Sequence, residues 1–266
     1  MNVGKCVITG WAFFLTMALS TCSSGSDLQE VTRKAVVATT AAQSYRDTGT
    51  TSRTSAGDTV TLYAEGEYAA PDRYRVKVRN DTGSWYECVQ IGDQSYVLTA
   101  DDADWPGGKR GVSCVVLPIA EELEVLSHLV DFEVLPDQQI GGVDCVHYRA
   151  NVDVEALAAK WEAEAEYPPP PEVLNLMQGQ SMGIELWVGK DDYLVRQMKT
   201  EARLPDYDLV TGQERWVNQN TTTRFYDFNE PIAIEPPAPE PSGLGAPSAI
   251  IGFRHSPDTR IVLGSF

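Results

Sequence analysis

The stretch Arg73–Arg79 constrains most strongly what this chain can fold into. Tyr74, Val76 and Val78 alternate with Arg73, Arg75, Lys77 and Arg79. A period of two with one apolar and one charged side is the pattern of a half-buried strand. The same period runs on either side of it. Val60, Leu62, Ala64 and Tyr68 share one face of a preceding strand, and Thr61, Tyr63, Glu65 and Glu67 share the other, with Ala70-Pro71-Asp72 as the turn between. Asn80-Asp81-Thr82-Gly83 turns the chain into a strand over Trp85–Ile91, and Gly92-Asp93 into another over Ser95–Thr99. Short turns between such strands predict an antiparallel meander from about Thr48 to Thr99. The basic row reads either as a phosphate-binding stripe or as an outward face paired across the sheet with Glu65 and Glu67. Composition favours the second reading: 21 Lys and Arg stand against 38 Asp and Glu, a net charge of −17. Such an excess argues against nucleic acid, and against electrostatic attachment to anionic lipid.

Three amphipathic helices are expected around the strands. Leu28, Val31, Ala35, Ala38, Ala42 and Tyr45 recur at spacings of three and four, which predicts a helix over Asp27–Tyr45. Pro118 opens a second, with Ile119, Leu123, Leu126 and Val130 on one face and Leu129 and Phe132 widening it. His128 lies within that arc and reads as a packed or rim residue. Gly141-Gly142 turns into a strand in which Val146, Tyr148, Ala150 and Val152 share a face. Asp153 can cap a third helix through Val154, Leu157, Trp161 and Ala165, which Pro168–Pro171 stops. Three more strands follow: one carrying Met182, Ile184, Leu186 and Val188, then Tyr193–Arg203 and Arg215–Phe228. From Pro231 onward the proline-rich sequence predicts an extended strap or tail. No βαβ pattern appears. The fold class is therefore α+β: a single antiparallel sheet, twisted and curved by its strand number, with helices covering one face.

Motifs for chemistry are sparse. Of the cysteines after Cys22, namely Cys88, Cys114 and Cys145, two can pair and one is left over; nothing in their spacing says which. His128, His147 and His255 show no metal-ligand spacing, so neither a metal nor a cofactor is expected. Asp101, Asp102 and Asp104 lack the remaining oxygen ligands of a calcium loop and read as a solvated loop. Gly179-Gln180-Ser181-Met182-Gly183 matches G-x-S-x-G, but a helix precedes it and a strand follows, the inverse of a hydrolase nucleophile turn. The chain is read as not an enzyme.

Its N-terminus points to export. Lys5 is followed by a nearly unbroken apolar run from Cys6 to Leu19, the length of a signal-peptide core and short for a membrane span. Leu19-Ser20-Thr21-Cys22 then resembles the lipobox of bacterial lipoproteins, in which the cysteine is lipidated and becomes the first residue. The competing reading is a plain secretory signal with a chance cysteine. The expected organisation is a signal peptide over 1–21, the lipidated Cys22 with a flexible tether over 22–26, one domain over 27–230 and the strap or tail over 231–266.

The lipobox, the N-terminal helix and Ala70-Pro71-Asp72-Arg73-Tyr74 carry a wider resemblance. So do Gln90–Val97, the Gly142-Val143 turn leading to Tyr148-Arg149, Glu185–Asp192 running to Arg196, and Phe225-Tyr226-Asp227-Phe228-Asn229-Glu230-Pro231. In this order they resemble the LppX/LprA/LprF/LprG lipoproteins and, more distantly, the LolA/LolB carriers. The resemblance implies a half-open β-barrel whose concave face is lidded by helices over an apolar cavity. It also implies a location on the outer face of the bacterial cell membrane, held by the lipid anchor. The cavity lining is expected from Val60, Leu62, Tyr74, Val76 and Val78, from Val89 and Ile91, and from Val146, Tyr148, Ile184, Leu186 and Val188. The lids would add Leu123, Leu126, Val130, Leu157 and Trp161. The partner so implied is a lipid or acylated molecule. The alternative is an envelope sensor or assembly factor that uses the same fold to bind envelope proteins.

Overall fold

Ten strands pair into one antiparallel sheet. They are β1 (Ser44–Ser55), β2 (Asp58–Ala69), β3 (Arg73–Asn80), β4 (Trp85–Ile91), β5 (Gln94–Thr99), β6 (Leu129–Ile140), β7 (Val143–Val152), β8 (Met182–Gly189), β9 (Val195–Tyr207) and β10 (Glu214–Tyr226). Across the sheet the order is β5-β4-β3-β2-β1-β10-β9-β8-β7-β6. Each half is a meander of consecutive strands, and β1 joins them by lying antiparallel on β10, from Arg46 opposite Tyr226 to Thr54 opposite Asn218. The sheet is curved and does not close: β5 and β6 are its two edges. The structure is a computed structural model that describes residues 25–99, 119–164, 180–207 and 214–237. Cys22 and its flanks, the Asp101–Asp104 loop, Pro168–Pro171 and the tail beyond residue 237 lie outside the described residues.

Helices α1 (Gly25–Thr40), α2 (Ile119–Glu122) and α3 (Val154–Glu164), with a 3₁₀ turn over Glu124–His128, pack on one face of this sheet. Helix α1 rests on β6, β8 and β9, and the 3₁₀ turn rests on β7. The core fills the space between them. Leu28 of α1, Leu123, Leu157 of α3, Tyr148, Ile184 and Leu186 are all almost wholly buried there. Two buried hydroxyls fix the position of α1. Thr32 donates to the Leu28 carbonyl at 2.8 Å, so its oxygen receives the Tyr148 hydroxyl at 2.6 Å. Thr39 accepts the Val195 backbone N–H at 3.0 Å, which ties the end of α1 to the start of β9. Helix α3 begins as the sequence predicts, with the Ala156 N–H donated to Asp153 Oδ1 at 2.9 Å.

Two helix expectations need correction. Helix α1 ends at Thr40, not Tyr45; Tyr45 belongs to β1, where its ring packs on Tyr68 at 5.0 Å and edge-on to Phe225 at 5.8 Å. The second helix is short. After α2 and the 3₁₀ turn the chain enters β6, so Leu129, Val130 and Phe132 lie on a strand. Apolar spacings of three and four at 123, 126 and 130 look helical, but Val130, Phe132 and Val134 also satisfy a period of two. Asp131, at φ 55°, and two register shifts against β7 interrupt that alternation.

The opposite, outer face is charged, as Arg73–Arg79 implied. Arg75 meets Glu67 at 3.3 Å and Glu87 at 3.4 Å, while Arg46 meets Glu67 at 3.1 Å and Asp227 at 2.8 Å. These partly exposed pairs bound a shallow groove of about 250 Å³ and satisfy one another. After β10 the chain runs extended beside the ends of β1 and β3. The Ser44 hydroxyl donates to the Glu230 carbonyl at 2.5 Å, and Arg73 donates to the Ile234 carbonyl at 3.3 Å. Ile234 itself is fully buried. The region over 231–237 is therefore a docked strap. Cys88 is disulfide-bonded, and Cys145 is a free, buried thiol.

Replacing Tyr148 by phenylalanine removes the hydroxyl that anchors α1 while keeping the ring. It should cost about 1 kcal/mol in urea unfolding, with the added fall in amide protection concentrated in α1.

Candidate functional site

The helix-covered face is not uniformly apolar. Pairing register divides it into three strips. Over β7–β9 lies the main core, with Tyr148, Leu186, Ile184, Val188 and Met198 beneath α1 and α3. Over β2–β4 lies a second, separate cluster of Val78, Tyr86 and Cys88, against which Leu62, Ala64 and Val76 are only partly buried. Between them, β1, β10 and β9 present polar side chains in facing rows. Thr51 stands opposite Thr221, which stands opposite Thr200; Arg53 stands opposite Gln219. The Thr51 and Thr221 hydroxyls lie 3.1 Å apart, and Thr200, Gln219, Thr221 and Thr223 are buried. Nothing in the alternation patterns marked this polar strip, because β1 and β10 carry polar side chains on both faces.

The residues expected to line a cavity separate accordingly. Tyr148, Ile184, Leu186 and Val188, together with Leu123, Leu126 and Leu157 from the helices and turn, are sealed in the main core, with Val146 packed at its margin. Leu62, Val76 and Val78 belong to the smaller cluster. Tyr74 is buried and stacks on Tyr68 at 4.9 Å, linking that region to Tyr45. Val60 is 47% exposed, whereas Val130 pairs with Asn151, between the core residues Ala150 and Val152, and so lies on the outer face instead of lining the helix-covered one. Trp161 lies on α3.

Val89 and Ile91 require a correction. Val76 pairs with Cys88 and Arg75 with Val89, so Val89 shares the outer face with Arg75, and Ile91 shares it with Arg73. Trp85–Ile91 is apolar on both faces, and its own pattern cannot say which one turns inward. Val89 is nevertheless 1% exposed, on the side where Arg73 meets the strap.

Asp47 was not singled out from the sequence. It points to the helix-covered face, between Phe225 on β10 and Gly66 on β2. A Cβ on Gly66 would collide with its carboxyl, so the missing side chain is what seats Asp47 across β2. No hydrogen bond or ion pair reaches this carboxyl from the described residues, and Asp47 keeps partial accessibility. Removal from water pushes its pKa up from 3.8 to about 7.

Other polar clusters are internally satisfied. On the outer face His147 is stacked on Trp187 at 4.3 Å. Its Nδ1 lies 3.1 Å from the Pro136 carbonyl and its Nε2 2.7 Å from Glu185. The Trp187 N–H donates to Gln138 at 3.0 Å. This group fastens β6 to β7 and β8. Ser181 is exposed and leads directly into β8, the strand-after-serine order read from the sequence. Among the described residues no group of side chains could hold a metal ion, and no helix is long and apolar enough to cross a membrane.

A carboxyl whose folded pKa lies above its unfolded value destabilises the fold once it ionises. Stability should therefore fall as pH rises from about 4 to about 7, and then level off. Asp47→Asn should remove that slope. It should raise stability at pH 8 by a few kcal/mol, up to about 4 for a shift of this size, and change little at pH 4, as read by urea unfolding at the two pH values.

No protein-family model matches the chain, and no curated protein matches it. Among solved structures it is similar to the lipoprotein LppX of Mycobacterium tuberculosis: 13% identity, TM-score 0.49, covering 80% of this chain and 100% of that one. It is also similar to LprF of Mycobacterium bovis, at 15% identity and TM-score 0.49, covering 82% and 100%. A LolA-superfamily protein of Nitrosomonas europaea matches at 10% identity and TM-score 0.28, covering 75% and 91%. Similarity at this level is silent on ligands, so what this chain binds has to come from its own residues.

Proposed function

We propose that this chain is a membrane-anchored binder or carrier of lipids or acylated molecules, with residues 27–230 forming the binding domain. The observation that supports this reading is the second apolar cluster. A sheet that needed only a solid core would bury its apolar side chains under the helices, as β7–β9 do. Instead Leu62, Ala64 and Val76 remain partly accessible around Val78 and Tyr86, on the same face but apart from the main core. Apolar surface set apart in this way suits an acyl chain. Of the residues expected from the sequence, Leu62, Val76 and Val78 are the ones that such a chain would touch. Leu126 and Leu186 serve to hold the lids on the sheet. The anchor would be Cys22, since two or more acyl chains on one cysteine hold stably where a single chain does not. On this reading the protein works at the outer face of a bacterial cell membrane, with no chemistry of its own.

Native mass spectrometry with organic extraction, on the chain starting after Cys22, should find lipid at a defined stoichiometry. Val76→Asp places a charge in the accessible cluster and should abolish uptake of a fluorescent lipid while circular dichroism stays unchanged. A clean apo mass with no uptake would reject the reading in favour of a protein-interaction module. For the anchor, metabolic labelling with an alkyne fatty acid should mark the wild-type chain and leave Cys22→Ser unlabelled.

A further inference from the structure

The small apolar cluster and the polar strip meet at one residue. Asp47 lies on the helix-covered face at the β1–β2 boundary, with Gly66 beneath its carboxyl and Val76 next beyond Gly66 in register. Gly49, two residues on, stands opposite Ala64, so the backbone beside the carboxyl is also without bulk. Across from it on β10 stands Phe225, and four residues further along β1 Thr51 and Thr221 place two hydroxyls 3.1 Å apart. The Thr200 hydroxyl in the same row is buried without a hydrogen-bond partner. Elsewhere in the described residues, acidic side chains near bases are paired: Glu67 with Arg46 and Arg75, Asp227 with Arg46, Glu185 with His147. Among the described residues Asp47 has no base and no N–H donor. It is a carboxyl beside an accessible apolar patch, with the hydroxyl row further along the same strand, and the glycine opposite it leaves its seat over β2 open.

We infer that Asp47 is the polar anchor of the ligand site, selecting amphiphiles whose polar end donates a hydrogen bond and carries no negative charge. This rests on the lipid-binding reading above and narrows it. The acyl chain would lie over Leu62, Ala64, Val76 and Val78. The head would lie against Asp47, with the Thr51 and Thr221 hydroxyls within the same strip. A hydroxyl or ammonium group gives Asp47 the donor it lacks. A carboxylate or phosphate at that place would bring a second negative charge against one already short of solvent, and like charges at contact are strongly disfavoured when water is excluded. The shared requirement is a donor, and a polyol or an amine can each supply it.

The test uses three amphiphiles with one oleyl chain and different heads: monooleoylglycerol, oleylamine and oleate. Each displaces a fluorescent acyl probe from the protein at pH 8, where a carboxyl with a pKa of about 7 is mostly ionised. Monooleoylglycerol and oleylamine should bind at least about tenfold more tightly than oleate. Asp47→Asn keeps size and hydrogen-bonding capacity but removes the charge. It should tighten oleate about tenfold, weaken oleylamine by a similar factor, and leave monooleoylglycerol within about threefold. Gly66→Ala forces the carboxyl off its seat and should shift the oleate preference in the same direction; its fold is checked by circular dichroism. If Asp47→Asn binds all three as the wild type does, Asp47 does not select the head, and the inference fails while lipid binding stands. If none of the three displaces the probe from the wild type, both fail. Comparing the first two amphiphiles tells whether a hydroxyl or an ammonium is the better donor.

Discussion

The pairing of β1 with β10 is the constraint on which the rest of the structure depends. It joins residues near the two ends of the described chain, from Arg46 opposite Tyr226 to Thr54 opposite Asn218. Without it there would be two five-strand meanders, each with an exposed edge and half a face. With it, Tyr45 on β1 reaches Phe225 on β10, and the aromatic series continues through Tyr68 to Tyr74. The strap extends the same closure, since Ser44 holds the Glu230 carbonyl just past the end of β10. Contacts so distant in sequence carry a loop-closure cost and give the sheet a high contact order, which slows folding.

Much of this architecture was legible because the chain is acidic and its strands are mostly half-buried. The rule of two on Arg73–Arg79 gave a strand, its inward face and the partners of its outward face, and the Arg75–Glu67 pair follows from that pattern. Failures came where the pattern was degenerate. Strand β4 is apolar on both sides, so Val89 was assigned to the wrong face; only register against β3 reveals it. The start of β6, over Leu129–Phe132, reads as helix because the irregularity there breaks the alternation, while spacings of three and four in the preceding turn run into it. Asp47 was invisible for a different reason. One carboxylate in a Thr-rich strand carries no periodic signal, and its meaning depends on Gly66, nineteen positions away and seated beside it only once β1 and β2 are in register.

The face beneath the helices combines two materials. Over β7–β9 it is a sealed core that holds α1 and α3 in place, and the Tyr148–Thr32 bond orients α1 upon it. Over β1 and β10 it turns polar, and over β2–β4 it is apolar again but less completely covered. A face built this way separates the side chains that hold the lids from those left partly accessible. On the proposed reading, changes in the accessible cluster would alter what is bound with less loss of packing than changes at Leu186 or Leu123.

The two shifts of register in β6 have a consequence beyond local geometry. This strand is an outer edge of the sheet, and an edge strand normally offers its free N–H and C=O groups to any extended chain that passes. Here the backbone leaves its regular course at Asp131 and again between Leu135 and Gln138, with Pro136 in the second interruption contributing no N–H. The Pro136 carbonyl is already engaged by His147. An incoming strand would find only short, misaligned lengths of ladder. Crowding many copies side by side therefore leaves this rim of each molecule unable to template an eleventh strand.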